Sequence, residues 1–282
     1  MRSPAELEID PEKALNHGIK WVRDYFKSAG IKTAVIGMSG GSDSAITAYI
    51  TAKAIGKENV IGILLPEDNV TPSEDMLHAE EVIKVLGIKR TEINITNLVN
   101  SIIKSDEDLL KIKNRIAYAN IKARIRMVLL YKEANKNKSL VAGTDDRSEH
   151  ILGYYTKYGD GGVDINVPEY LYKTQVRALL DYIAEKEKMP VMKAISAKKS
   201  SPRLWAGQTA EGEIGLDYRT IDRIFYYLKD SGKNWEVNRL SKKLGIKSEV
   251  IEKIMRMEKV NMHKGLLPPS PPVVYGFNLH SG

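Results

Sequence analysis

With 282 residues, 43% of them hydrophobic and 28% charged, the chain has the composition of a globular protein with enough apolar side chains for a substantial core. No apolar run approaches the roughly 18 residues of a membrane helix, and the start, MRSPAELEIDPEK, lacks the basic and apolar stretches of a secretory signal; a cytoplasmic setting with no membrane partner is expected. Cysteine is absent, which removes thiol nucleophiles, thiolate metal sites and disulfide frameworks, and the net charge of +7 is spread along the chain without clustered aromatics, so it fits a phosphate pocket and nucleic acid is not expected as a partner.

From Asp10 to Ala29 the apolar residues Ala14, Ile19, Val22, Tyr25 and Phe26 recur at helical spacing and Gly30 stops the pattern, which predicts an opening helix. Residues 33–38 (TAVIGM) read as a short buried strand, followed by a glycine-containing loop and a helical stretch at 45–55 closed by Gly56. A second strand is expected at 60–65, and Thr71-Pro72-Ser73-Glu74 reads as a capping box opening a helix to Leu86. A third strand at 90–95, helices at about 97–103 and 111–135, and a fourth strand at 139–142 complete the alternation. Such a pattern predicts an α/β fold, a doubly wound parallel sheet flanked by helices, with ligands at the carboxyl ends of the strands.

Beyond Gly143 the chain is rich in glycine, tyrosine and charge as far as Tyr172, the composition of a loop that carries function. Helices are expected at 174–187 and 218–228 around a polar segment, 196–213, and a last one at 248–259. The end is proline-rich, so residues 1–275 are expected to form a single domain and 276–282 a flexible tail.

The chemistry concentrates in SGGSDS, Ser39 to Ser44, directly after the first strand. Gly37, Gly40 and Gly41 let the backbone turn and approach a ligand, while Ser39, Ser42 and Ser44 add hydroxyl donors at a helix N-terminus, an anion-binding arrangement. No lysine follows the glycines, so the phosphate loop of kinases and GTPases is absent. Asp43 would repel phosphates unless a divalent cation lay between them, which points to Mg²⁺; its other reading is a helix cap.

SGGSDS after a first strand resembles the pyrophosphatase loop of the N-type ATP pyrophosphatases, adenine nucleotide alpha hydrolase-like proteins with a Rossmann-like fold. Within that superfamily NIKARIRM (120–127), AGTDDRSEHILGYYTKYGDGGVDINVP (142–168), LYKTQVRAL (171–179), LWAGQT (204–209) and His263-Lys264 resemble the ammonia-dependent NAD synthetases, in family order along most of the chain. The resemblance implies adenylation of the nicotinate carboxylate of deamido-NAD by ATP and attack of ammonia on the acyl-adenylate, giving NAD, AMP and pyrophosphate in the final step of NAD biosynthesis. It implies a homodimer and no built-in glutaminase, with any separate glutaminase partner left open. Other readings are a GMP synthetase-like or tRNA-modifying member of the superfamily, or a nucleotide-binding module without turnover.

Carried over residue by residue, the resemblance places ATP on Gly37, Met38, Ser39, Gly40, Gly41, Ser42, Asp43, Ser44, Thr144, Lys173 and Ser201, and Mg²⁺ on Asp43 and Glu149. It places deamido-NAD on Asn120, Arg124, Lys157, Asp164, His263 and Lys264, and gives Asp160 and Lys173 catalytic roles: Asp160 holds and deprotonates ammonium, and Lys173 offsets charge on the leaving pyrophosphate. Arg126 is turned about 200° from Arg124 on the same helix, so only one of the two is expected to face a ligand. The segment 198–213 reads SSPR and TAEGE where the family pattern has Pro-Ser-Ala-Gly and Thr-Asp-Glu-Asp-Glu, and its polar character suits a lid that excludes water.

Overall fold

The computed structural model describes residues 4–201, 204–205 and 207–270; the tail expected at 276–282 lies outside them. Helix α1 (Pro11–Ala29) begins where the Asp10 side chain accepts from the Lys13 amide and ends at Gly30, whose left-handed φ of 66° turns the chain. It leads into β1 (Thr33–Gly37), then α2 (Ser42–Ile55), β2 (Val60–Leu64), α3 (Ser73–Leu86), β3 (Lys89–Glu92), α4 (Thr96–Ser105), α5 (Arg115–Asn137) and β4 (Ser139–Gly143). The remainder holds α6 (Arg147–Leu152), β5 (Ile165–Asn166), α7 (Lys173–Lys186), α8 (Pro190–Ser196), α9 (Ala210–Ile214), α10 (Tyr218–Phe225), α11 (Val237–Leu244) and α12 (Ser248–Asn261).

The five strands form one parallel sheet in the order β3-β2-β1-β4-β5, as the alternation predicts. The chain runs outward from β1 to β3, then returns to place β4 on the other side of β1. That reversal opens a crevice at the carboxyl ends of β1 and β4, where such sheets bind ligands. One apolar cluster joins α1, α2, α3, α7 and α8 to one face, around Ile36, Ile46, Ile50 and Leu180; a second, with Val35, Ile63, Val99 and Leu129, lies under α4 and α5 on the other. A third cluster, around Tyr218, Phe225, Leu240 and Ile254, packs the C-terminal helices together.

Three expectations need correction. Thr71 does not cap α3: its hydroxyl accepts from the Glu67 amide at 2.9 Å, so the loop after β2 uses the oxygen and Pro72 stands at the N-cap without a side-chain bond. The third strand is shorter than expected, because β3 pairs only with β2 at the sheet edge. The stretch 143–172 is not all loop, since it carries α6 and β5, and α8, α9 and α11, unforeseen in the sequence, are only 7, 5 and 8 residues long.

Candidate active site

β1 delivers Gly37 to the crevice, and the chain turns through Met38 to Gly41 before α2 starts at Ser42. The turn is fixed by its own side chains: the Ser39 and Ser44 hydroxyls are 3.1 Å apart, and Ser44 Oγ donates to the Gly41 carbonyl at 3.1 Å. Gly40 has φ 73°, and a Cβ there would sit 2.0 Å from the Asp75 carbonyl oxygen, so the backbone passes α3 only because this residue has no side chain. The first turn of α2, Ser42 to Ser44, lines the crevice, where a helix N-terminus favours an anion.

Above the loop lies a cavity of about 260 Å³. Gly37, Met38, Ser39, Gly41, Ser42, Asp43 and Ser44 line it together with Thr144, Glu149, Asp160 and Ser201. Most of the ATP set read from the sequence is thereby brought to one place. Gly40 lies behind the wall, where its carbonyl accepts from Lys198 at 3.4 Å.

Lys173, at the start of α7, is completely buried and ties the centre together. Its Nζ is 2.7 Å from Asp43 Oδ2, 2.9 Å from Asp146 Oδ2 and 2.8 Å from Glu149 Oε1. Burial alone would lower its pKa, but the attraction of Asp146, Asp43 and Glu149 wins and holds the ammonium well above its ordinary range. Burial and mutual repulsion push the carboxyls of Asp146 and Glu149 upward against the pull of Lys173. A ligand oxygen from each of Asp43, Asp146 and Glu149 lies within 4.8 Å of the others. Three carboxyl groups thus face a single ammonium, and a divalent cation would favour the ionised form of all three; hard oxygen donors of this kind suit Mg²⁺.

Position and charge of this centre are set from behind. The Lys173 amide donates to Ser148 Oγ at 2.9 Å, Ser148 Oγ donates to Asp222 Oδ1 at 2.6 Å, and the Thr174 amide donates to Asp222 Oδ2 at 2.9 Å. Burial raises the Asp222 carboxyl to about 6 despite those donors.

Beside the main cavity lies a second, lined by Lys157, Asp164 and Lys264 among others, with Asp145 on the wall of both. Lys157 Nζ donates to the His263 carbonyl at 2.8 Å, and Lys264 Nζ to the carbonyls of Gly153 and Tyr155 at 2.6 and 3.0 Å. Asp164 accepts from the Val141 amide at 2.8 Å and from Tyr131 at 3.1 Å, so it pins its loop to β4. Asp160 accepts from the Thr156 amide at 2.9 Å, which lowers its pKa, yet burial leaves the carboxyl raised. Asn120 and Arg124 reach neither cavity wall: Asn120 accepts from the Thr156 hydroxyl at 2.9 Å and Arg124 donates to the Lys157 carbonyl at 3.3 Å. His263 is likewise off both walls and contributes its carbonyl to Lys157. Of Arg124 and Arg126 on α5, Arg126 is the one on the main cavity, its Nε donating to the Leu65 carbonyl at 3.3 Å.

From residue 14 to residue 268 the sequence matches the family described as NAD synthase. The chain belongs to that family. It is 42% identical to the NH(3)-dependent NAD(+) synthetase of Staphylothermus marinus over 94% of this chain and 93% of the relative, and 38% identical to that of Methanosarcina mazei over 93% and 99%. Among solved structures, the NMN synthetase of Francisella tularensis superposes with a TM-score of 0.77 at 31% identity, covering 94% of this chain and all of that one. The NH3-dependent NAD synthetase of Campylobacter jejuni gives 0.73 at 26%, with the same coverage.

Sequence reasoning missed Asp146, although a signal was there: Asp146 and Glu149 have the spacing of a helix cap and its third residue, and Asp146 Oδ1 does accept from the Glu149 amide at 2.9 Å. Asp145 was passed over in the same string; burial, then the charge of Asp160, raises its carboxyl. Lys198 also lines the cavity, held by Asp75 and 3.1 Å from His78 Nδ1, and nothing local in the sequence marks it.

Proposed function

We propose that the chain joins ammonia to deamido-NAD at the expense of ATP, forming a C–N bond through a deamido-NAD adenylate and releasing AMP and pyrophosphate. The observation that carries the reading is Lys173 gathering Asp43, Asp146 and Glu149 at the mouth of the pyrophosphatase-like loop. Asp43, Asp146 and Glu149 would hold Mg²⁺, which supplies charge neutralisation to the phosphates of bound ATP. The loop 37–44 holds the phosphates through backbone amides and serine hydroxyls, and Lys173 stands behind the leaving pyrophosphate. Thr144 and Ser201 contribute further ATP contacts from the cavity wall.

Carboxylates are poor acyl donors until an oxygen is esterified. The nicotinate carboxylate therefore attacks the α-phosphorus, displaces pyrophosphate and becomes an acyl phosphate. Ammonium is captured beside Asp160 on the cavity wall, which takes its proton; ammonia then attacks the acyl carbon and AMP leaves with the former carboxylate oxygen. Lys157, Asp164 and Lys264 frame the dinucleotide's cavity, with the His263 carbonyl fixing Lys157.

We further infer a homodimer. Ile116, Asn120, Arg124 and Val128 recur every fourth residue along α5, and Ile116 and Val128 are 72% and 58% exposed. A second copy on this side would complete a dinucleotide site around Asn120 and Arg124, which one chain leaves outside its cavities. Residues 1–275 would act as one catalytic unit. The superfamily alternatives are not favoured, because the family match extends far beyond the loop.

The test is exchange of labelled pyrophosphate into ATP without ammonia. Exchange should require deamido-NAD and Mg²⁺ and fall by about 100-fold in Asp43→Asn. Exchange supported by nicotinate mononucleotide and not by deamido-NAD would transfer the reading to NMN formation.

A further inference from the structure

A second buried ion pair lies apart from the carboxylate centre. Glu67 follows the carboxyl end of β2, Lys122 projects from α5, and Lys122 Nζ is 2.7 Å from Glu67 Oε1 with both side chains buried. A buried pair of this kind is a weak source of stability, because desolvation offsets the attraction. Its hydrogen bonding is also incomplete on the Glu67 side, where Oε2 is buried without a partner among the described residues.

Lys122 has two further neighbours. Its Nζ lies 4.2 Å from the centroid of the Tyr118 ring and donates to the Leu204 carbonyl at 3.1 Å. Leu204 lines the nucleotide cavity and follows Ser201 in the chain. The adjoining Trp205 ring lies 3.8 Å from the guanidinium carbon of Arg115, also on α5. From the other side, the Leu204 amide donates to Gln208 Oε1 at 2.8 Å, and Gln208 Nε2 donates to Glu213 at 2.9 Å. The cavity wall at Leu204 is therefore gripped from α5 and braced from α9.

We propose that Lys122, held by Glu67, is a positioning residue that seats Leu204 on the wall of the nucleotide cavity, with the adjoining Trp205 held on Arg115, and so keeps water from the acyl-adenylate. An ammonium has three donors, and among the described residues they meet Glu67, the Tyr118 ring face and the Leu204 carbonyl. Withdrawal of Leu204 would leave a buried ammonium donor unpaired, so docking of this wall and satisfaction of the buried charge are one event. The inference rests on the amidation reading above. Where the wall fails to seat, water attacks the acyl carbon in place of ammonia, the bond to the phosphate oxygen breaks, and deamido-NAD and AMP are released; one ATP has then been converted to AMP and pyrophosphate without NAD.

The measurement is the ratio of AMP to NAD formed at saturating ATP, Mg²⁺, deamido-NAD and ammonium, with folding followed by circular dichroism. The wild-type protein should give a ratio near one. Lys122→Met and Trp205→Ala should raise it about fivefold or more and raise the KM for ATP. Trp205→Ala leaves the buried pair untouched and keeps the test open if Lys122→Met does not fold. A ratio of one in Trp205→Ala and in any folded Lys122→Met, beside a wild-type protein that makes NAD, overturns the proposal alone. A wild-type protein that makes no NAD from deamido-NAD overturns the amidation reading, and this proposal with it.

Discussion

Lys173→Met removes the cation on which the site's charge balance depends. The side chain is fully buried and touches three carboxylates at 2.7 to 2.9 Å, so its loss leaves Asp43, Asp146 and Glu149 facing one another with no counter-charge. Methionine fills much of the same volume, so the packing cost is small beside the electrostatic one. Breaking a buried ion pair from one side costs about 3–5 kcal/mol. For a chain of this size that corresponds to a fall in Tm of roughly 10 °C. The assay is a pair of thermal melts, without and with millimolar Mg²⁺. In the variant the cation meets the three carboxyl groups with no ammonium competing for them, so Mg²⁺ should raise its Tm by more than it raises that of the wild-type protein. A variant that melts within about 2 °C of wild type, with the same response to Mg²⁺, would refute the electrostatic account of this centre.

Gly40→Ala should be more damaging than its size suggests: a left-handed φ and a Cβ 2.0 Å from the Asp75 carbonyl oxygen together cost at least about 2 kcal/mol, measured by urea unfolding. Equal stability would mean that the loop moves freely. Asp222 gives a pH signature. Burial raises its carboxyl from 3.8 to about 6, so the folded state takes up the proton first as pH falls, and this group's contribution to stability is present at about pH 4 and lost as pH rises to 6. The stability difference between wild type and Asp222→Asn should therefore shift against the wild type by up to about 3 kcal/mol over that window; a difference independent of pH contradicts it. Ile116→Asp with Val128→Asp should convert a dimer to monomers in sedimentation and raise the KM for deamido-NAD, whereas an unchanged sedimentation coefficient places the interface elsewhere.

The sheet was legible because β1 and β2 are short β-branched runs, β4 is a short apolar one, and β1 and β2 are each followed by a helix that a glycine stops. Elements hidden from the pattern were those whose partners lie far away in sequence. β5 has two residues and exists through pairing with β4, and α6 is a single capped turn and a half. In the site, the loop 37–44, Glu149 and Lys173 were readable from the family strings. Their chemistry was not, because it depends on Asp146 Oδ2 and Lys173 Nζ meeting at 2.9 Å from two separate segments. Arg124 and Arg126 on α5 show the limit of helical spacing. It separates Arg124 from Arg126, but the packing of α5 against Leu65 decides that Arg126 turns to the nucleotide cavity.

On the proposed reading, this centre activates a carboxylate by joining it to AMP. The most direct measurement uses deamido-NAD labelled with ¹⁸O in the nicotinate carboxylate, incubated with ATP, Mg²⁺ and ammonium, with AMP, pyrophosphate and NAD analysed by mass spectrometry. The account predicts the three products in equal amounts, with one carboxylate oxygen transferred to the phosphate of AMP. Unlabelled AMP, or ADP and phosphate in place of AMP and pyrophosphate, would contradict it.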